Sequence, residues 1–305
     1  MNRVKGYTVA LALALTLALT GAAAGEKAAA RAVIDLTGRS VHVPDDPRRV
    51  VALAPSVTEI VYALGQERRL VGVTRFSNYP PAAQQLPKVG SYIHLDVERI
   101  VALRPDLVIA VKDGNPIAVV EQLVDIGLPV FAVNPVDLET VMQSVQAIGN
   151  LFATVDAARS VVADMRYRIA RVETRVAQTQ VRPAVFFQIG ISPIVSVGSN
   201  TFIHTLIELA GGTNMAAGET PYPRFSREQV IAMAPEVIVI SSMSRAAVFE
   251  QVKAEWMQWP AIPAVRRDAV FIAPPDLFDR PSPRLVDALE LLAGVIHPQL
   301  FERRP

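Results

Sequence analysis

The 305-residue chain contains no cysteine, only two tryptophans and four histidines, and aromatic residues make up just 6% of it. Without cysteine there is no disulfide framework, and no thiol to carry a lipid anchor after an export signal. With so few histidines, a nucleophile–histidine pair has few possible members. Gly-x-Ser-x-Gly, His-Glu-x-x-His, Gly-x-Gly-x-x-Gly and P-loop sequences are also missing, which argues against a secreted α/β enzyme, the competing class. Charge of one sign is missing as well: 30 basic side chains face 29 acidic ones. That balance gives no reason to expect a nucleic-acid partner.

The one long apolar run, Val9 to Thr20, follows Arg3 and Lys5 and precedes Ala22-Ala23-Ala24. A basic start, a short apolar stretch and small residues describe a secretory signal peptide over 1–24. The run is shorter than the ~20 residues that a membrane span requires. The mature protein is expected to be periplasmic, cleaved, without a lipid anchor, and monomeric.

The rest of the chain alternates strand and helix signals. A hairpin over Ala32–Val43 turns at Gly38-Arg39, and strands follow at Val50–Leu53, Leu70–Val73, Leu107–Ala110 and Val130–Val133. Helices are predicted between them at Val57–Leu64, Val97–Leu103 and Pro116–Ile126. Ser56 and Glu59 are read as a capping box for the first. Asp156 to Gln178 holds no glycine or proline and carries apolar residues at helical spacing, predicting one helix of about 23 residues. After Pro183 the alternation resumes, ending in a helix from Ser282-Pro283, read as N-cap and N1. The expected fold class is α/β: two lobes with parallel sheets, 25–153 and 181–305, joined by a long rigid helix within 154–180.

One unit occurs twice. Tyr92 stands four residues before Asp96, then come Glu98, a short apolar helix, Pro105, Asp106 and a strand; Tyr222 stands four before Ser226, followed by Glu228, a helix, Pro235, Glu236 and a strand. A single recurrence 130 residues on points to two similar lobes facing each other across a cleft. Ligands of open α/β sheets bind beyond the carboxyl ends of the strands. By that rule the cleft is lined from Ser56, Phe76–Tyr79, Tyr92, Lys112–Asn115, Ile189–Ser192, Tyr222 and Asp276–Arg280. A ring from each lobe, Tyr92 and Tyr222, could grip a flat ligand. Lys112 to Asn115 is either a polar turn or a set of hydrogen-bonding partners for the ligand. Trp256 and Trp259 are read as packing residues.

Several stretches carry a family likeness: Ser77-Asn78-Tyr79-Pro80-Pro81, Glu98-Arg99-Ile100-Val101-Ala102-Leu103, Phe187-Gln188-Ile189-Gly190-Ile191-Ser192-Pro193, Ser226-Arg227-Glu228-Gln229-Val230 and Phe278-Asp279-Arg280-Pro281-Ser282-Pro283-Arg284. With these the chain resembles the substrate-binding proteins of ABC importers for cobalamin, haem and ferric siderophores, and its cobalamin branch most. The resemblance implies the class III periplasmic binding protein architecture and no catalysis. It implies a corrinoid ligand held by Ser56, Tyr79, Tyr92, Lys112, Asn115, Ile189, Ser192, Tyr222, Phe278 and Arg280. Haem or a ferric siderophore is the alternative. It also implies that Glu98 and Glu228 dock onto arginines of a permease dimer coupled to its ATPase, although each acid also suits the positive end of its helix. Relatives that bind cobalamin usually carry tryptophans where this chain has Tyr92, Val111, Tyr222 and Leu277. Tyr92 and His94 could supply axial oxygen and nitrogen donors to a chelated metal; no resident cofactor or metal is expected.

Overall fold

The structure is a computed structural model that describes residues 30–241 and 247–301; the expected signal peptide lies outside them. It opens with the antiparallel hairpin of β1 (Ala30–Ile34) and β2 (Ser40–Pro44). Gly38 turns it at φ +88°, and the Asp35 carboxylate caps it by accepting from the Thr37 and Arg39 backbone amides.

The first lobe is a four-stranded parallel sheet in the order β4–β3–β5–β6, built from β3 (Val50–Ala52), β4 (Leu70–Val73), β5 (Leu107–Val111) and β6 (Val130–Val133). Helices α1 (Pro55–Ala63), α2 (Val97–Ala102), α3 (Ile117–Asp125) and α4 (Leu138–Leu151) surround it. Then α5 runs from Val155 to Val176, 22 residues and so about 33 Å. The second lobe contains β7 (Ala184–Gln188), β8 (Ile194–Val195), α6 (Phe202–Leu209), β9 (Thr213–Asn214), β10 (Arg224–Phe225), α7 (Arg227–Met233), β11 (Val237–Ile240), α8 (Ala247–Met257), α9 (Pro263–Arg266), β12 (Val270–Ile272), α10 (Pro275–Phe278) and α11 (Leu285–Ile296). Its sheet is also parallel, in the order β12–β11–β7–β9, and β8 and β10 form a separate antiparallel pair.

Strand periodicity divides the apolar residues into three cores. In β3, Val50 and Ala52 face one side while Val51 faces the other; in β5, Leu107, Ile109 and Val111 alternate with Val108 and Ala110. In the second lobe Val237 and Val239 oppose Ile238 and Ile240. The outer faces make separate cores. The inner faces make a single continuous one, because Val162, Met165, Val172 and Val176 of α5 and Leu285, Leu289 and Leu292 of α11 fill the space between the sheets. Gly149 of α4 admits α5 closely, since a β-carbon there would lie 2.5 Å from Ala158 Cβ. Arg168 of α5 adds ion pairs to Asp287 and, at 2.6 Å, Glu290 of α11. The connector is thus packed along its length on both lobes and is no exposed tether.

Two expected helix starts are corrected. The helix α1 begins at Pro55, with Ala54 as N-cap and no side-chain cap bond, so Ser56 and Glu59 form no capping box. The helix expected from Ser282 begins instead at Leu285 with Arg284 as N-cap, so Ser282 is not its cap. Both side chains are recruited elsewhere, to each other. The Ser282 hydroxyl donates to Glu59 Oε2 at 2.6 Å across the lobe boundary.

Candidate functional site

The two tyrosine units fold as sequence symmetry requires. Asp96 caps α2 by accepting from the Arg99 amide at 3.0 Å, and Ser226 caps α7 in a full capping box with Gln229. Before each cap the chain bends and presents its tyrosine. In the first lobe, Gly90 turns at φ +103°, where a β-carbon would strike the His94 carbonyl, and the Ser91 hydroxyl accepts from the His94 amide at 2.9 Å. In the second, Pro221 and Pro223 flank Tyr222, and their carbonyls accept from Gly198 and Ser196 at 2.8 and 2.9 Å. Those two hydrogen bonds hold the loop on either side of Tyr222.

Tyr222, 47% exposed, reaches from the second lobe to the first, where its hydroxyl donates to Asp113 Oδ2 at 3.3 Å. The Tyr92 ring rests on Gly114, where a β-carbon would come within 3.2 Å of it. Burial, reinforced by the Asp113 carboxylate and its hydrogen bond, pushes the Tyr222 phenol up to about 12. Tyr92 is raised too, first by burial and then by the charges of Asp279 and Asp113. The two rings and two acids, drawn from both lobes, meet at the carboxyl ends of the sheets.

A second set of contacts joins the lobes beside the cleft. Glu59 of α1, 4% exposed, accepts from Arg280 Nη1 at 2.9 Å and from Arg284 Nη1 at 3.4 Å, as well as from Ser282. Arg280 in turn donates to Asn78 Oδ1 at 2.7 Å, to the Phe76 carbonyl and to Asp276. Asn78 Nδ2 donates to Asp276 at 2.7 Å, and the Arg284 guanidinium lies 3.7 Å from the Tyr79 ring centre. Burial pushes the Glu59 carboxyl upward, while Ser282 and Arg280 pull it down.

Each expected site residue now has a place. Lys112, Ser192 and His94 are exposed, Tyr79 is 43% exposed, and Ile189 is half-buried against the shared core. Ser56 is buried in the first turn of α1. Three readings change. Asn115 is a stitch between strand ends, because its amide accepts from Val111 and donates to the carbonyls of Leu53 and Tyr92, leaving little for a ligand. Phe278, 1% exposed and with its ring 5.6 Å from that of Phe187, is a core residue. Arg280, 6% exposed, is a lobe-to-lobe brace. Glu98 and Glu228 stand exposed in the first turns of α2 and α7, and hydrogen bonds from its own backbone amide and from Ser226 hold the Glu228 carboxyl below its ordinary value.

Sequence reasoning passed over Glu59 as a brace, and it took in Asp113 and Asp279 only as members of cleft-lining stretches. Glu59 had a readable signal: an acid flanked by Val57, Thr58, Ile60 and Val61 in a fully buried run needs a partner. Asp279 accepts from Ser241 at 3.1 Å through Oδ1, while its buried Oδ2 has no hydrogen-bond partner among the described residues. Burial raises its carboxyl to about 6.

The periplasmic binding protein family pattern matches residues 50–277, three quarters of the chain. The chain belongs to the periplasmic binding protein family. Its members bind solutes and are not enzymes, and the two-lobed fold with its helical connector is theirs. Relatives include a vitamin B12-binding protein of Photorhabdus laumondii, 33% identical over 81% of this chain and 86% of its own. Among solved structures, the periplasmic vitamin B12 binding protein of Vibrio cholerae superposes with a TM-score of 0.73 at 30% identity, over 85% of this chain and 99% of that one. A periplasmic heme binding protein from Pseudomonas aeruginosa gives 0.74 at 30% identity, over 83% and 93%.

Two predictions arise from this geometry. Glu59→Ala strands Arg280 without its buried carboxylate and should cost about 3 kcal/mol in urea unfolding, at the low end for a broken buried pair because Asp276 remains. A cost below ~1 kcal/mol would make the brace ornamental. For Asp279, a folded pKa of about 6 lies above the ordinary 3.8, so its stabilising share is present below about pH 4 and lost as pH rises through 6. Asp279→Asn should therefore match the native protein at pH 4 and exceed it at pH 7.5 by roughly 1 to 2 kcal/mol. Parallel stability profiles would contradict this.

Proposed function

We propose that this binding protein captures a corrinoid between Tyr92 and Tyr222 and hands it to an ABC importer. The opposed tyrosines carry the reading. A corrin presents a broad apolar ring face and an amide-bearing edge, which suit two aromatic rings and the carboxylates beside them. The vitamin B12-binding relatives, matched over more than four fifths of their length, support the same ligand class. The residues that meet the ligand are read as Tyr79, Tyr92, Lys112, Ile189, Ser192 and Tyr222.

A second reading is haem, favoured by the heme binding neighbour and by Tyr92 with His94 two residues on. On either reading, Glu98 and Glu228 are the docking points for the permease, being exposed on helix starts at matched places in the two lobes. The expected leader, 1–24, would direct the chain to the periplasm and be removed there.

Absorption spectra decide the ligand class. After mixing with cyanocobalamin or with haem and removing the excess, the protein should retain corrin bands and not haem bands; the reverse result overturns the corrinoid reading. Tyr92→Ala and Tyr222→Ala should each weaken calorimetric binding by on the order of 1 to 3 kcal/mol with unfolding midpoints unchanged. Unchanged affinity in both would remove the rings from the site. For docking, the Glu98→Gln/Glu228→Gln double variant should bind ligand normally while complex formation with the permease weakens and loses salt sensitivity. Loss of ligand affinity with normal docking would invert the assignment of the two faces.

A further inference from the structure

Asp113 stands between the rings that are proposed to clamp the ligand. Its carboxylate accepts the Tyr222 hydroxyl at 3.3 Å, and its charge helps raise the phenols of both Tyr222 and Tyr92. It is exposed, on the turn that joins β5 to α3, and next to Gly114, on which the Tyr92 ring rests. No basic side chain among the described residues lies within ion-pair distance of it: Lys112, its neighbour, makes no such pair, and Arg280 and Arg284 are committed to Glu59. A flat ligand gripped by the two tyrosines brings its edge against a negative charge that no basic side chain among the described residues pairs.

We infer that Asp113 is a specificity-determining residue, a fixed charge that admits chelates with neutral N–H-bearing edges and rejects those with ionised carboxylates. This inference rests on the tyrosine clamp proposed above. An edge amide can replace the Tyr222 hydroxyl as donor to Asp113, so the bond between lobes that occupies the empty cleft is exchanged for one to ligand. A carboxylate edge offers no donor and meets like charge instead, a juxtaposition that opposes binding strongly where water is partly excluded. Asp279, whose charge also bears on Tyr92, adds to the same field.

The test uses ligand pairs of one shape and different charge: cyanocobalamin against its peripheral monocarboxylates, and haem dimethyl ester against haem in the same mild detergent. Titrated at pH 7.5 and low salt, the native protein should favour the neutral member of each pair it binds by about tenfold or more, the scale of one charge-assisted contact. Asp113→Asn should narrow that ratio about tenfold, chiefly by strengthening the carboxylate form, and added salt should narrow it in the native protein. Tyr222→Phe separates charge from tethering. It removes the phenol that Asp113 holds and leaves the acid, so the ratio should persist even as affinity falls. If Asp113→Asn leaves the ratio unchanged, or if Tyr222→Phe abolishes it equally, Asp113 merely positions Tyr222 and the filter is refuted. If no corrinoid binds but the haem pair shows the pattern, the filter stands and the corrinoid reading falls. If corrinoids bind with no preference within their pair, the filter falls and the corrinoid reading stands.

Discussion

Glu59 is an ionisable group, 4% exposed, in a run of α1 that is buried from Ser56 to Val61. A lone carboxylate in such a place costs several kcal/mol in lost hydration, which only close and well-oriented partners offset. All of them come from one short segment of the other lobe: Arg280, Ser282 and Arg284. The lobes must therefore sit where that segment meets α1. Any rotation that parted them would leave Glu59 buried without its charged partners, and Arg280 with Asp276 alone.

The rest of the cleft follows from that constraint. With α1 tied to the segment after α10, and α5 packed against α4 and α11, the carboxyl ends of both sheets are fixed facing each other. The loops before α2 and α7 leave those ends at matched positions, so the two tyrosines converge from opposite lobes. The cross-cleft bond from Tyr222 to Asp113 is long, at 3.3 Å, and partly solvated. Such a bond is easily exchanged for a ligand, whereas the buried Glu59 cluster is not. A durable brace beside a replaceable contact gives a preset cleft that opens locally.

Much of this was legible in the sequence because it depends on local rules. The strands β3 to β6 lie within a residue of the expected ranges, and α3 ends just before Gly127, at φ +86°, close to the expected Ile126. The caps Asp96 and Ser226 are as expected, and the long helix differs by a residue or two at its ends. What escaped depends on distant partners. Ser56 with Glu59 and Ser282 with Pro283 are sound local capping signals, worth about 1 kcal/mol each. Glu59 and Arg280 are separated by 221 residues, and a buried charge pair outweighs a surface cap. Phe278 and Asn115 follow the same rule: proximity to a strand end identifies a loop near the cleft, but not which side chains turn inward to hold that loop.

The Glu59 cluster and α5 set the lobe angle before any ligand arrives. Small-angle solution scattering of the mature protein, free and saturated with cyanocobalamin, tests it most directly. The profiles should superimpose and give the same radius of gyration in both states, because the braced lobes have little hinge freedom. A clear compaction on loading would contradict it, since it would show that the lobes swing about α5 and that the Glu59 cluster does not fix their angle.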